Sequence, residues 1–108
     1  MTLSTHVLDA TSGRPAADVR VRLEGAGDDG WTPAGDGRTS ADGRLNLAGE
    51  LSPGVYRITF GSGAYFKARG AATFYPEVTI TFEVTERDGH YHVPLLLSPF
   101  AYSTYRGS

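Results

Sequence analysis

The chain contains no cysteine. Disulfide staples, thiolate nucleophiles and zinc–thiolate sites are excluded together, and the redox compartment is left open. A net charge of −2 supplies no basic field for nucleic acid. No basic amphipathic segment suggests a membrane surface, and no apolar run approaches the length of a membrane-spanning helix. Met1-Thr2-Leu3-Ser4-Thr5-His6 lacks the basic and apolar regions of a secretory signal, and the chain does not end in a peroxisomal address. A cytoplasmic location is the expectation, with neither nucleic acid nor membrane as partner. Gly61-Ser62-Gly63 is too short for a phosphate loop and no Gly-Lys-Ser/Thr follows it. A Gly-X-Ser-X-Gly nucleophile elbow is also missing.

What is present is period-2 alternation. Val19, Val21 and Leu23 face one way while Arg20, Arg22 and Glu24 face the other. The same holds for Tyr56, Ile58 and Phe60, and for Val78, Ile80, Phe82 and Val84, so each reads as a half-buried strand. Leu3–Leu8, Arg44–Ala48, Tyr91–Leu97 and Phe100–Tyr105 are four further candidates, and a weaker eighth surrounds Trp31. Turns separate them at Thr11-Ser12-Gly13-Arg14-Pro15, Ala26-Gly27-Asp28-Asp29-Gly30, Ala41-Asp42-Gly43, Ser52-Pro53-Gly54, Arg87-Asp88-Gly89 and Ser98-Pro99. This spacing predicts an all-β sandwich or barrel. Ser62–Gly70 breaks the pattern and predicts a short helix, capped by Ser62 and stopped by Gly70. The Gly- and Asp-rich stretch 25–40 is expected to be the most mobile loop region. The 108 residues suit one domain, 1–108, with no repeat or linker.

Three histidines are available: His6, His90 and His92. On a strand His90 and His92 share a face, opposite the core-facing row Tyr91, Val93, Leu95 and Leu97. Leu96 makes that outer face partly apolar, which suggests that something covers it. Arg44 alternates with Leu45 and Leu47 and should also point off the core, whereas the facing of His6 stays open. Each histidine has an ordinary reading as a surface or hydrogen-bonded strand residue. His-X-His with His6 would also allow a three-histidine metal site, but no local Asp or Glu supports the ligands. The C-terminal Tyr105-Arg106-Gly107-Ser108 is a blunted strand edge in the plainest reading.

Leu3-Ser4-Thr5-His6-Val7-Leu8-Asp9, then Gly13-Arg14-Pro15-Ala16, then Asp42-Gly43-Arg44, then His90-Tyr91-His92-Val93-Pro94-Leu95-Leu96-Leu97-Ser98-Pro99 occur in this order. Together with Tyr102-Ser103-Thr104-Tyr105-Arg106-Gly107-Ser108 they resemble the transthyretin-related proteins over essentially the whole chain. The final tetrapeptide is similar to that of the enzymatic branch, the 5-hydroxyisourate hydrolases, rather than the hormone carriers. The resemblance implies an eight-stranded antiparallel β-sandwich with one short helix. It also implies a homotetramer, a dimer of dimers, with active sites in the channel between dimers. The implied reaction converts 5-hydroxyisourate to 2-oxo-4-hydroxy-4-carboxy-5-ureidoimidazoline in urate degradation, with no cofactor and no metal. The implied catalytic residues are His6, Arg44, His92 and Ser108. Substrate binding would use His6 and Arg44 with Tyr105, Arg106, Gly107 and Ser108. His90 carries no implied role. A ligand carrier without catalysis and a purely structural module are the competing readings.

Overall fold

In the computed structural model, which describes residues 2–49, 51–86 and 89–108, the alternation becomes two packed sheets. The strands are β1 (Thr2–Asp9), β2 (Arg14–Pro15), β3 (Arg20–Gly27), β4 (Gly30–Arg38), β5 (Arg44–Ala48), β6 (Gly54–Phe60), β7 (Val78–Val84), β8 (His90–Ser98) and β9 (Ala101–Thr104). One sheet runs β4-β3-β6-β7. In the other, β1 lies between β8 and an edge shared by β5 and β2, and β9 flanks β8. Setting aside the two-residue β2, the eight expected strands are all present. The expected antiparallel pairing needs one correction: β1 runs parallel to β8. These strands lie at opposite ends of the chain, so no short hairpin dictates their direction.

The inner faces are the apolar rows of the alternation. Leu3, Val7, Leu95 and Leu97 meet Val21, Leu23, Ile58, Phe60 and Val78, all buried. Burying each such side chain contributes roughly 1.5–3 kcal/mol. Thr5 is buried in the same row because its hydroxyl donates to the Val93 carbonyl at 2.7 Å, which ties β1 to β8.

The expectation of a mobile loop over 25–40 is overturned. β3 and β4 pair out to Gly27↔Gly30, with one register shift between Leu23 and Glu24, leaving only Asp28 and Asp29 in the turn. Gly25, Gly35 and Gly37 serve close packing. A β-carbon at Gly25 would meet the Tyr56 ring, and one at Gly37 the Leu45 side chain.

The helix α1 (Ser62–Ala68) follows β6 as expected but is capped differently. Gly61 is the N-cap, and Ser62 is buried with its hydroxyl unpaired among the described residues. The stop does use Gly70, at φ +70°. Ala71 N–H reaches Phe66 O and Gly70 N–H reaches Lys67 O, both at 3.0 Å, a Schellman closure. Tyr65 and Phe66 turn into the core, and Tyr65 Oη donates to the buried Asp9 carboxylate at 2.9 Å. Of the turns expected from sequence, Arg87-Asp88 lies outside the described residues.

Candidate functional site

Because Leu3, Thr5, Val7 and Asp9 face the core, Ser4, His6 and Leu8 line the outer face of β1. The register settles the facing that the sequence left open. His6 stands opposite Arg44 of β5 on one side and Pro94 of β8 on the other. Ser4 stands opposite Asn46 and His92, and Thr2 opposite His90. One sheet face therefore carries His6, Arg44, His92 and His90.

The Asp42-Gly43-Arg44 triplet has a local physical account. Gly43 adopts φ +76°, and a β-carbon there would press into the Val7 carbonyl oxygen. This close approach lets the Val7 N–H donate to Gly43 O at 2.7 Å, docking the turn on β1. The Ser40 hydroxyl accepts from Asp42 N–H at 3.3 Å and from Arg44 N–H at 3.4 Å, which closes the turn. As a result the Asp42 carbonyl accepts from His6 Nε2 at 3.0 Å. A carbonyl can only accept, so Nε2 carries hydrogen and Nδ1 of the neutral ring is left to accept.

His92 is half-buried, with Nδ1 bonded to Ser4 Oγ at 2.9 Å. Burial, then the positive charge of Arg44, then His6 and His90, hold its imidazole below the usual 6.5; a bond with Ser4 opposes the shift. His92 is accordingly neutral at pH 7.

The C-terminal end returns to β8. β9 pairs Leu95↔Thr104, and three residues on, in the same register, His92 pairs with Gly107. Between them stands Pro94, which has no N–H to offer the ladder. Its carbonyl accepts instead from Thr104 Oγ1 at 2.7 Å. Gly107 N–H then donates to His92 O at 2.8 Å. A β-carbon at Gly107 would lie 2.5 Å from Cδ2 of His92 and 3.2 Å from Cγ of Pro94, so this glycine packs directly on the imidazole.

The sequence-derived residues do not all converge. Tyr105 is exposed, and Ser108 is exposed one residue beyond Gly107. The Arg106 guanidinium lies 4.6 Å from the centre of the Tyr91 ring, in the core-facing row. It borders a cleft of about 250 Å³ that Phe82, Tyr91, His92, Thr104 and Tyr105 also line. Among the described residues, no three His, Asp or Glu side chains are grouped to hold a metal ion. Sequence reasoning missed Ser4 and the Asp42 carbonyl as histidine partners. Both depend on the register of β1 against its neighbours, which no local pattern encodes.

Comparison with known proteins matches residues 3–107 to the HIUase/Transthyretin family. The 5-hydroxyisourate hydrolase of Salmonella dublin is 46% identical, over 98% of this chain and 80% of that one. The structure of Klebsiella pneumoniae 5-hydroxyisourate hydrolase superposes with a TM-score of 0.89 at 36% identity, covering 100% of both chains. Transthyretin from Sparus aurata superposes with a TM-score of 0.92, also at 36% identity, over 97% of this chain and 95% of that one. The backbone thus lies about equally near an enzyme and a transthyretin, while identity reaches 46% with a hydrolase against 36% with the transthyretin.

Proposed function

Because this chain belongs to the HIUase/transthyretin family, we propose that it hydrolyses 5-hydroxyisourate on the outer face of the five-stranded sheet. His6, Arg44, His92 and the Tyr105–Ser108 end are the working residues. The product is 2-oxo-4-hydroxy-4-carboxy-5-ureidoimidazoline, a step of urate degradation. The water oxygen bonds to a ring carbonyl carbon, the adjoining carbon–nitrogen bond breaks, and a carboxyl and a ureido group result.

Water needs a base that is unprotonated at neutral pH. His92 meets that need, since burial and the nearby Arg44 keep it neutral. Attack generates an oxyanion, for which the Arg44 guanidinium is the nearby counter-charge. The same planar fork suits a flat substrate rich in carbonyl oxygens. His6, tethered through Nε2 to Asp42 O, keeps Nδ1 to orient the water or pass its proton to the leaving nitrogen. Gly107 fixes the His92 ring, and Ser108 and Tyr105 close the pocket. Arg106 anchors that end on Tyr91 and borders the cleft that His92 and Tyr105 also line, where it helps to bind the substrate.

The observation that carries this reading is the neutral His92 beside His6 and Arg44 on one face. A small-ligand carrier would line its channel with apolar side chains instead. The test mixes the protein with urate and urate oxidase. Faster loss of the 5-hydroxyisourate absorbance than in its spontaneous decay is expected; an unchanged decay would favour the carrier instead.

The active assembly is a homotetramer, a dimer of dimers, with sites at the dimer–dimer interface. Leu8 and Leu96, adjacent in register and half-buried on the histidine face, support its coverage by another copy. Phe100 and Tyr102, exposed at the β9 edge, support a second contact. Sedimentation at four times the 11.5 kDa chain mass is the expected result. No helix among the described residues is long and apolar enough to cross a membrane. A cytoplasmic location is part of the same reading, and cell fractionation checks it.

A further inference from the structure

His90 has no part in the mechanism above, yet it is bonded to the residue that holds His92. Ser4 Oγ lies 2.9 Å from His92 Nδ1 and 3.4 Å from His90 Nε2. His90 Nδ1 is bonded in turn to Thr2 Oγ1. The two imidazoles are nearly parallel, with 13° between planes and 6.5 Å between centres. The parallel register of β1 on β8 creates this arrangement, setting Thr2 beside His90 and Ser4 beside His92. Exposure rises along the chain of groups, from the half-buried His92 to the exposed His90.

We propose that His92, Ser4 and His90 form a proton relay that discharges His92 to solvent when it takes a proton from the attacking water and recharges it when the leaving nitrogen is protonated. The relay rests on the reading of this chain as a hydroxyisourate hydrolase. Ring opening consumes one water. One of its hydrogens ends on the ureido nitrogen, which is amide-like and stays neutral. The other is released, because the new carboxyl group ionises at neutral pH. His92 must therefore gain a proton during attack and give one up during bond cleavage in every cycle.

The hydrogen-bond chemistry allows this. When His92 Nδ1–H donates to Ser4 Oγ, the Ser4 hydroxyl hydrogen is free to donate to His90 Nε2. His92 Nε2 is then the basic nitrogen. A proton gained at Nε2 is matched by transfer of the Nδ1 hydrogen to Ser4 and of the hydroxyl hydrogen to His90, which loses a proton to water; when Nε2 gives its hydrogen up towards the leaving nitrogen, the hops run back and Nδ1 regains its hydrogen, so the ring begins the next cycle in the same tautomer. Only N–H and O–H bonds change. Arg44, His6 and His90 all face His92 and disfavour its retaining the charge. His6 offers no such exit, since its Nε2 meets a carbonyl that cannot pass a proton on. Ser4 and His90 act through His92 and are positioning residues.

The experiment is stopped-flow hydrolysis of freshly generated substrate in weak buffer, with wild type, His90→Ala, Ser4→Ala and Ser4→Thr. The alanine variants should lose about 10-fold in kcat with KM unchanged, less than removal of a direct acid–base group costs. Threonine at position 4 keeps the hydroxyl and should keep the rate. Millimolar imidazole should restore His90→Ala and leave wild type unaffected, a response that a merely structural role would not produce. His90 is exposed, so this variant carries the test even if Ser4→Ala fails to fold. A wild-type kcat in His90→Ala, or a loss that imidazole does not restore, overturns the relay while the hydrolase reading stands. A wild type that does not accelerate decay overturns both.

Discussion

The amide of Gly107 donates to the carbonyl of His92 at 2.8 Å, and its α-carbon leaves no room for a side chain over the imidazole. The end of the chain is therefore a wall of the site as well as its last residues. It holds the ring that Ser4 bonds from the other side, through Nδ1 at 2.9 Å. A ring fixed between two strands keeps its basic nitrogen in one place, which is what proton transfer to a positioned water requires.

Gly107→Ala should therefore act on the imidazole before it acts on the fold. The added carbon would sit 2.5 Å from His92 Cδ2, so ring or chain end must shift. We expect kcat to fall by about 10-fold or more, approaching the roughly 100-fold of a lost acid–base group. The melting temperature should barely move, since no core side chain is involved. Rates of freshly generated 5-hydroxyisourate loss and a thermal melt on the same sample decide it. Full activity in the variant would mean that the contact is incidental.

Deleting Tyr105–Ser108 should separate activity from stability more sharply. The deletion removes one backbone bond to β8 and the stacking of Arg106 on Tyr91. Together these contribute about 1–2 kcal/mol, a small loss for a core built from both sheets. Activity should drop more than about 100-fold, because His92 loses its wall and the pocket its closing residues. A truncated protein that still folds and hydrolyses at the full rate would reduce this segment to an ordinary strand end.

The apolar rows, the eight principal strands and the helix after β6 were legible because each follows from local periodicity. His92 and Arg44 could be placed off the core for the same reason. The facing of His6 could not, since Ser4, His6 and Leu8 alternate with Leu3, Thr5 and Val7, and both rows mix polar with apolar residues. Only pairing with β5 and β8 decides which row is inside, and that pairing joins residues more than 35 positions apart. The placement of Arg106 was illegible for a related reason. It depends on Pro94 interrupting the ladder and on Gly107 resuming it in register. Residues 25–40 misled because glycine and aspartate mark turns statistically, while here the glycines clear space for Tyr56 and Leu45.

The lowered affinity of His92 for protons predicts an acidic limb in the activity profile below 6.5. Burial comes first among its causes and Arg44 second. As pH falls through the depressed value, the base becomes protonated and the rate is lost. Arg44→Gln removes the cation, so His92 should titrate higher, nearer 6.5. The ring resonance of His92 followed by NMR against pH reads this directly, whatever the variant does to catalysis. A midpoint that stays put or moves down would show that Arg44 does not tune the base.

Gly43→Ala tests the turn that sets His6 and Arg44 side by side. Alanine at φ +76° is strained and its β-carbon would meet the Val7 carbonyl. Strain of this kind costs about 1–3 kcal/mol, or several degrees in melting temperature for a domain of this size. The Asp42 carbonyl would move with the turn and release His6 Nε2. Loss of stability and of kcat together is the expected result, against the nearly pure kcat loss of Gly107→Ala. A variant that melts with the wild type would show that the turn relaxes freely.

Asp9 lies outside the site, and its chemistry predicts how the scaffold beneath the site responds to acid. It is 4% exposed, yet it is bonded to Thr11 N–H and to Tyr65 Oη, each at 2.9 Å, and to the Thr11 hydroxyl. Burial pushes its carboxyl up, but these bonds together outweigh burial and hold it below 3.8. Burial first, and the Asp9 carboxylate second, push the Tyr65 phenol up. Because the folded value is the lower one, the stability Asp9 contributes is fully present above 3.8 and is lost as pH falls through the depressed value. Asp9→Asn should cost about 1–3 kcal/mol at neutral pH and flatten the acid side of the stability curve. Tyr65→Phe, which removes one bond and leaves the Thr11 bonds, should cost about 1 kcal/mol and preserve most of the slope. Urea denaturation at a series of pH values separates the two. Equal acid slopes for wild type and Asp9→Asn would mean that other carboxylates govern acid unfolding, and that the link from β1 to the helix is not where this fold gives way.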